Sequence, residues 1–139
     1  MKSVIRGTVV ILFTLLTLTG CGTDNSTLLT DGVWTFQSMT TDSDESNIIS
    51  LVSLGQALLT EATMEFQEGG SYILTSPLVA NPTTGEWQLV GEEQLILDPD
   101  GEASSTSNIE TLTKDRLSYV ETFEGGQVNP YKVTTTWVR

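Results

Sequence analysis

The chain has 139 residues, a formal net charge of −12, one cysteine and no histidine. A length of this order suits one domain with one hydrophobic core. The absence of histidine excludes Cys-His and Ser-His catalysis and imidazole metal sites. An acidic surface of this size repels nucleic acid and anionic lipid headgroups, so we expect no nucleic-acid partner.

The first twenty residues have the pattern of a secretory signal peptide. Lys2 and Arg6 precede an apolar run over residues 9–18, which is too short to span a bilayer comfortably and ends in small residues. We therefore expect residues 1–20 to be removed. All 18 acidic side chains follow Cys21, so the loss of Lys2 and Arg6 would leave four basic side chains and a net charge of −14.

The expected cleavage point lies in Leu18-Thr19-Gly20-Cys21, a leucine followed by two small residues and a cysteine. This arrangement resembles the lipobox of bacterial lipoproteins, in which the cysteine receives lipid. The resemblance implies that Cys21 is lipidated, with acyl chains that hold the protein on the membrane at ~0.8 kcal/mol per buried methylene. The mature chain would then have no thiol for catalysis or metal binding. The alternative is an ordinary secreted protein with one stray cysteine.

The residues that follow the cysteine bear on location and on domain organisation. Gly22 does not resemble the aspartate that retains some lipoproteins at the inner membrane, which favours the outer membrane of a bacterial cell envelope. Residues 21–30 are small and polar apart from Leu28 and Leu29, as is typical of a flexible tether. We expect the folded domain to occupy residues 31–139.

Alternating apolar side chains predict the first strands of this domain. The first strand is expected at Trp34, which shares a face with Phe36. In the hairpin that follows, a three-residue loop would pair Phe66 with Tyr72. This register places the large apolar side chains together on one buried face, and a slip by one residue would mix them with polar neighbours.

The remaining strands follow from the same reasoning. A second hairpin with a three-residue loop sets Trp87 against Leu97. Residues 107–113 and 116–123 form another predicted pair, and the last strand begins at Tyr131. The sequence therefore predicts about eight strands, separated by turns at the roughly ten-residue spacing of an all-β barrel or sandwich.

One helix is predicted between the first two strands. Apolar side chains from Ile48 to Ala62 recur at helical spacing, and Asp42 with Glu45 three residues later resembles a capping pair. Gly55 destabilises this helix by ~1 kcal/mol relative to alanine. We therefore expect the helix to depend on packing against the sheet.

Acidic residues around Gly101 raise the question of a metal site. Asp98, Asp100 and Glu102 alternate with other residues, as in part of a calcium loop, but the remaining ligand positions of an EF-hand are missing. A turn rich in proline, aspartate and glycine is the alternative. We expect no metal and no cofactor.

Several short motifs occur in order along the chain. They are Gly-x-Trp from Gly32, F-x-x-x-G-x-Y from Phe66, T-G-x-W from Thr84 and L-T-x-D-x-L from Leu112, together with the helix before the second strand. Taken in this order, they resemble the bacterial lipocalin-like lipoproteins. The resemblance implies an all-β fold, an eight-stranded antiparallel up-and-down calycin barrel with one short helix between its first two strands. It also implies an interior that can take a small hydrophobic molecule.

The resemblance and the side-chain parity together define a candidate ligand site. In lipocalins an arginine from near the last strand covers the first-strand tryptophan, and Arg139 and Arg116 are the candidates for that contact with Trp34. Glu121 has inward parity, so its carboxylate should lie at the barrel mouth or meet Lys132, Arg116 or the polar head of a ligand. The candidate barrel wall consists of Trp34, Phe36, Phe66, Tyr72, Trp87, Leu117, Tyr119, Glu121, Phe123, Tyr131 and Trp137.

These observations leave three classes of function to compare. The leading hypothesis is a membrane-anchored lipoprotein whose barrel binds a small hydrophobic ligand. Side chains can also fill an eight-stranded barrel, and the protein would then be a non-enzymatic scaffold or interaction module for an envelope protein that the sequence does not identify. Catalysis is third, because no nucleophile and base are paired by sequence. We expect no enzymatic activity.

Overall fold

Eight antiparallel strands in sequential order form a closed barrel, in which the first strand also pairs with the last. The structure is a computed structural model that describes residues 24–98, 100–101, 104–124 and 129–139. It confirms the predicted all-β up-and-down barrel and the helix between its first two strands. The elements are α1 (Asn25–Thr30), β1 (Val33–Thr41), α2 (Ser46–Leu59), β2 (Thr63–Phe66), β3 (Ser71–Thr75), β4 (Thr83–Val90), β5 (Gln94–Leu97), β6 (Ser105–Leu112), β7 (Arg116–Phe123) and β8 (Tyr131–Val138).

The expectations for the N-terminus fall outside this description. The signal peptide over residues 1–20 and the lipidation of Cys21 lie beyond the described residues and stay predictions. Within the part of the chain that is described, no helix is both long and apolar enough to cross a membrane.

The hairpin registers follow the predicted pairing of large side chains. Phe66 lies opposite Tyr72, and Trp87 lies opposite Leu97. The barrel closes where β1 meets β8, and Trp137 lies there opposite Phe36. Because side chains alternate between the two faces of a strand, these registers direct the aromatic residues into the interior.

A β-bulge in β1 was not predicted. Phe36 pairs with Trp137, but Ser38 pairs with Thr136, so one extra residue is inserted into β1 between these pairs. The inward face of β1 therefore passes from Phe36 to Met39 rather than to Ser38. As a result, Met39 lies beneath α2 and forms part of the contact between helix and barrel.

The short helix α1 covers one end of the barrel, called the closed end below. The expectation of a flexible tether is wrong for residues 25–30, because they form this helix. Asp24 caps the helix by accepting a hydrogen bond from the backbone N–H of Ser26. Leu29 is fully buried, and its carbonyl accepts a hydrogen bond of 2.9 Å from the Trp34 indole. Leu29 therefore closes the barrel interior with apolar surface.

The helix α2 lies at the opposite end, called the mouth below. The predicted capping pair is wrong: Glu45 is the N-cap but makes no side-chain cap bond, and Asp42 instead accepts a hydrogen bond of 2.7 Å from the Lys132 backbone. Of the helix side chains, Ile48 and Val52 are buried. The helix is therefore held by a narrow apolar contact, and the segment that leads into it is held to β8 by the hydrogen bond of Asp42.

The hydrophobic core is concentrated toward the closed end. One cluster of buried side chains extends from Leu29 through the aromatic residues of β1, β2, β3 and β8. A second, smaller cluster joins Ile48 and Val52 of α2 to Val133 of β8. The closed half of the barrel is thus filled by side chains, and the mouth is less densely occupied.

Candidate functional site

A recess of about 310 Å³ opens at the mouth between α2 and the ends of β7 and β8. Its volume lies at the lower end of the ~300–1,000 Å³ range of small-molecule pockets. Most of its lining is apolar, and Glu121 supplies the charged side chain. We call it the apolar recess, and it is lined by Met39, Leu51, Val52, Leu54, Gly55, Leu58, Glu121, Phe123, Tyr131 and Val133.

The width of the apolar recess depends on the close approach of α2 to β1. A Cβ placed on Gly55 would lie 3.1 Å from the sulfur of Met39, tighter than an ordinary van der Waals contact. The Met39 backbone N–H also donates to the Gln56 side chain at 3.3 Å. The glycine that weakens the helix by propensity therefore lets the helix rest on the methionine that the β1 bulge turns inward.

Glu121 lies on β7 between two neighbouring strands. Its register partners are Ser107 on β6 and Val133 on β8. The side chain is half-buried at the mouth, which agrees with its inward parity. It also borders a second, polar hollow of about 470 Å³, which shares Phe123 and Tyr131 with the apolar recess.

The basic side chains considered as partners of Glu121 lie elsewhere. Lys132 is exposed and pairs with Thr122, the residue of opposite parity. Arg116 donates to the side chain of Gln37 at 3.3 Å, at the other end of β7. Among the described residues the one ion pair joins Arg139 to Asp31. In the described part of the chain, then, no cationic side chain is paired with the Glu121 carboxylate.

Ser107 is a second polar group on the inward face near the mouth. Its side chain is fully buried, and its hydroxyl has no hydrogen-bond partner among the residues the structure describes. Directly opposed residues on neighbouring strands have Cβ atoms about 4.5–5.5 Å apart, so Ser107 lies beside Glu121. An unsatisfied buried hydroxyl destabilises a protein by ~1–3 kcal/mol. Ser107 lines neither the apolar recess nor the polar hollow, so its hydroxyl lies behind the surface of the mouth.

An aromatic pair stands beside Glu121 at the rim. Phe123 and Tyr131 are register partners, and their rings are stacked with centroids 5.0 Å apart and an interplanar angle of 12°. Phe123 was expected on the wall of the barrel interior, but it is 42% exposed. It lies at the last position of β7, where the strand leaves the barrel.

The structure separates the sequence-predicted wall into two groups. Glu121, Phe123 and Tyr131 line the apolar recess, whereas most of the others are buried in the closed half and fill it. Trp87 is half-buried beside Phe66 and donates its indole N–H to the Gln67 carbonyl at 3.0 Å. The side chains that fill the closed half are Trp34, Phe36, Phe66, Tyr72, Leu117, Tyr119 and Trp137.

Sequence reasoning missed the helix side of the apolar recess. Leu51, Leu54 and Leu58 line it and are 60%, 56% and 48% exposed, respectively. The helical spacing of Leu51 and Leu58 was recognised in the sequence but interpreted as a face packed on the sheet, and Leu54 was not part of the predicted set. The signal for an open recess was the excess of leucines on α2 over what one contact with a small barrel can bury.

Tyr119 lies in the interior below Glu121. The pKa of its hydroxyl is raised to about 12, mainly by burial; the Trp137 hydrogen bond opposes this rise, and the negative charge of Glu121 contributes to it. The Trp137 indole donates to the Tyr119 oxygen at 3.3 Å. The phenol is therefore protonated at neutral pH and offers an uncharged polar group.

The arginine contact with Trp34 is made by Arg139. Its guanidinium carbon lies 3.9 Å from the centroid of the indole ring. The same group donates to the carbonyls of Leu28, at 2.9 Å, and Asp31. These contacts hold α1 against the end of β8 at the closed end, far from the apolar recess.

In the described region, the acidic residues near Gly101 form a turn, in which the Gly101 backbone N–H donates to the Asp98 carbonyl at 2.8 Å. The Asp98 carboxylate accepts hydrogen bonds from the Tyr72 hydroxyl at 2.8 Å and from the Glu86 backbone at 3.0 Å. The described residues contain no cluster of three or more side chains that could hold a metal ion. Glu102, the third acidic residue of the proposed calcium loop, lies outside them.

Comparison with known protein families identifies a match. The sequence model of a family described as a lipocalin-like domain matches residues 30–119. No curated protein matches the chain. The matched range includes α2 and ends two residues before Glu121, so the acidic and aromatic side of the mouth lies beyond it.

Proposed function

Because this chain belongs to the lipocalin-like domain family, we propose that it is a lipid-anchored protein of the bacterial cell envelope that binds a small hydrophobic ligand at the mouth of its barrel. The observation that carries this proposal is the apolar recess of about 310 Å³. The family's fold is generally used for binding rather than for catalysis. The proposed activity is therefore binding, with no reaction assigned.

The filled half of the barrel limits how the ligand binds. Trp34, Phe66 and Trp137 are almost completely buried and occupy the interior below the mouth. A ligand would therefore not reach the centre of the barrel as in a hollow carrier. It would lie between the leucines of α2 and the inward side chains of β7 and β8, where its burial removes apolar surface from water.

Binding of a fluorescent apolar probe tests this proposal. We expect the lipid-free Cys21→Ser protein, made without its signal peptide, to bind such a probe with a one-to-one stoichiometry. Leu54→Asp, which places a charge on the wall of the apolar recess, should weaken binding. Leu78→Asp is the matched control, because Leu78 is 65% exposed on the β3–β4 connection and does not line the recess. Failure of the unmodified recess to bind any such probe would contradict the proposal.

An interaction module is the alternative function, and the exposed apolar face of α2 favours it. Leu51, Leu54 and Leu58, which lie on one side of the helix, are 60%, 56% and 48% exposed. In this alternative the same face contacts an envelope protein and the filled barrel serves as a scaffold. Site-specific crosslinking from position 54 in cells to one envelope protein, with no probe binding in the purified protein, would favour the module.

The membrane anchor is proposed at Cys21, on the strength of the lipobox-like sequence that ends there. Mass spectrometry of the membrane-extracted protein should show residues 1–20 absent and acyl mass on the cysteine. Cys21→Ser should release the protein or leave it as a precursor. Recovery of a mature protein with a free thiol would contradict the anchor. Membrane fractionation tests the proposed outer-membrane location.

A further inference from the structure

The mouth has an apolar side and an acidic side that meet at Glu121. The apolar recess extends from this residue toward α2, and the polar hollow extends from it toward β6. Ser104, Ser105 and Glu124 line the polar hollow and contribute hydroxyls and a second carboxylate. A molecule that occupied both would have to be amphiphilic, with an apolar tail and a polar head.

The charged side chains around the mouth determine whether the polar head of such a molecule is positively or negatively charged. In the described part of the chain no basic side chain pairs with Glu121, because Lys132 is directed away from the interior and Arg116 lies at the other end of β7. A carboxylate that is half-buried beside apolar surface is stabilised by a positive charge and repels a negative one. A fatty acid would bring its own carboxylate into this position.

The aromatic pair gives a second, independent reason to expect a cation. Phe123 and Tyr131 border both the apolar recess and the polar hollow, on the same strands as Glu121 and Val133. Aromatic faces attract ammonium groups through their quadrupoles, and recognition of quaternary ammonium ligands by aromatic side chains is a well-known use of this attraction.

We propose that the mouth binds an organic cation, with an alkylammonium head between Glu121 and the Phe123–Tyr131 pair and a short alkyl tail in the apolar recess. The proposal rests on the ligand-binding function proposed above and adds the chemical class of the ligand. A head of this kind neutralises the carboxylate, and the tail covers the leucines of α2 that water now contacts.

A series of three probes with the same eight-carbon tail and different polar heads tests which head group the site prefers. Calorimetric titration compares octyltrimethylammonium, octanol and octanoate, each below its aggregation concentration. We expect the ammonium compound to bind roughly tenfold or more tightly than octanoate, with octanol between them. Glu121→Gln should bring the three affinities close together, and Phe123→Leu should weaken the ammonium compound more than octanol.

Glu65→Gln is the control for the strongly acidic surface. Glu65 is exposed on the outer face of β2, and its substitution changes the net charge by the same amount as Glu121→Gln. Its affinities should match those of the unsubstituted protein. If Glu65→Gln and Glu121→Gln had equal effects, the preference would come from overall charge and the proposed site would be wrong.

The possible results separate this inference from the binding function itself. Equal affinity for all three probes, or tighter binding of octanoate, would overturn the cationic ligand and leave apolar binding at the mouth standing. Binding of none of the three probes and of no fluorescent apolar probe would overturn both. A cation preference that Glu121→Gln leaves unchanged would also overturn the assignment to this site.

Discussion

Arg139 joins three parts of the closed end through one side chain. Its guanidinium stacks on Trp34 and donates to the carbonyls of Leu28 and Asp31, which belong to α1 and to the link between α1 and β1. The sequence offered Arg116 and Arg139 as alternatives, because the lipocalin resemblance implies an arginine from near the last strand and does not say which one. The choice depends on which strand end reaches the first tryptophan, and this is fixed by the stagger of the closed barrel rather than by local sequence.

Arg139→Lys should lower the free energy of unfolding by about 1–3 kcal/mol. Lysine keeps the charge but has no planar fork, so it cannot stack on the indole and donate to two carbonyls together. Urea unfolding followed by tryptophan fluorescence measures the change. Arg116→Lys is the control and should stay within about 0.5 kcal/mol, because Arg116 is exposed. Equal effects of the two substitutions would contradict the role of Arg139.

Two tyrosines make stability fall in alkaline solution. Burial and the Asp98 hydrogen bond raise the pKa of Tyr72 to about 12, and burial raises the pKa of Tyr119 to about 12, from an ordinary value of 10.0. Below pH 10 both hydroxyls are protonated in the folded and unfolded chains. Between these pKa values the unfolded chain loses the protons while the folded protein keeps them, so the free energy of unfolding decreases as pH rises.

Urea unfolding at a series of alkaline pH values measures this dependence. Tyr72→Phe and Tyr119→Phe should each make the decline shallower, because each removes one group that the folded state holds protonated. Tyrosinate absorbance of the folded protein gives an independent check. Ionisation of all its tyrosines around pH 10 would contradict the raised pKa values.

The helix α1 shows how one buried leucine can order a segment whose sequence is typical of a flexible tether. Residues 25–30 are mostly polar, and a helix this short is unstable by propensity alone. Its order comes from Leu29, which is fully buried against the core, and from the Asn25 amide, which donates to the Glu92 carbonyl at 2.8 Å. Such tertiary contacts are not visible in the local sequence.

Leu29→Ala should destabilise the protein by ~2–5 kcal/mol, because it opens a cavity at the closed end of the barrel. The polar neighbour Thr27 is exposed, and Thr27→Ala should have little effect. Thermal and urea unfolding measure both variants. If Leu29→Ala were as mild as Thr27→Ala, α1 would not contribute to the core.

The β3–β4–β5 sheet contains a close contact that requires glycine. A Cβ on Gly85 would clash with the Asp98 carboxylate and would lie 2.6 Å from the ring of Tyr72. We expect Gly85→Ala to lower the free energy of unfolding by ~1–3 kcal/mol through overpacking. Gly69→Ala is the control, since a Cβ there meets no atom within 4 Å. A neutral Gly85→Ala would mean that the hydrogen bond between Tyr72 and Asp98 is easily displaced.

For the individual strands and helices, the sequence predicted the pairing of the strands but not the β-bulge in β1. The registers of Phe66 with Tyr72 and Trp87 with Leu97 follow from parity, because a slip by one residue exposes a whole apolar face. The bulge after Phe36 carries no such signal, since both neighbouring registers keep Trp34 and Phe36 inside. Its consequence, the inward position of Met39, was therefore not predicted.

At the scale of the whole molecule, the alternation of side chains along a strand predicts which of them face the barrel interior. It does not predict how deep in the barrel each of them lies. Trp137 and Tyr131 have the same inward parity on β8, yet Trp137 is fully buried in the closed half and Tyr131 lies at the rim. The same holds on β7 for Leu117 and Phe123. Whether a small barrel is hollow depends on side-chain volumes summed over its interior and on where α2 rests, and a one-dimensional pattern contains neither quantity.

The positions of the two ends of the barrel determine how the proposed lipid anchor would orient the protein on the membrane. Cys21 precedes Asp24, the N-cap of α1, by three residues, and an extended chain spans at most about 3.3–3.6 Å per residue. A lipid on Cys21 would therefore hold the closed end within roughly 10 Å of the membrane surface. Because α1 and α2 cover opposite ends of the barrel, the mouth would then face away from the bilayer.

A pair of single-cysteine labels tests this orientation in the lipidated protein. Once Cys21 carries lipid, the chain has no other thiol, so an introduced cysteine is the only site of labelling. Gly69→Cys places a fluorophore on the β2–β3 loop at the closed end, and Leu78→Cys places one on the β3–β4 connection at the mouth. In vesicles with quencher-bearing headgroups, the label at position 69 should be quenched more strongly than the label at position 78. Reversed quenching would show that the mouth lies against the membrane, and a ligand would then enter it from the lipid surface rather than from the aqueous side. Equal quenching would contradict the proposed orientation by showing that neither end is preferentially close to the bilayer.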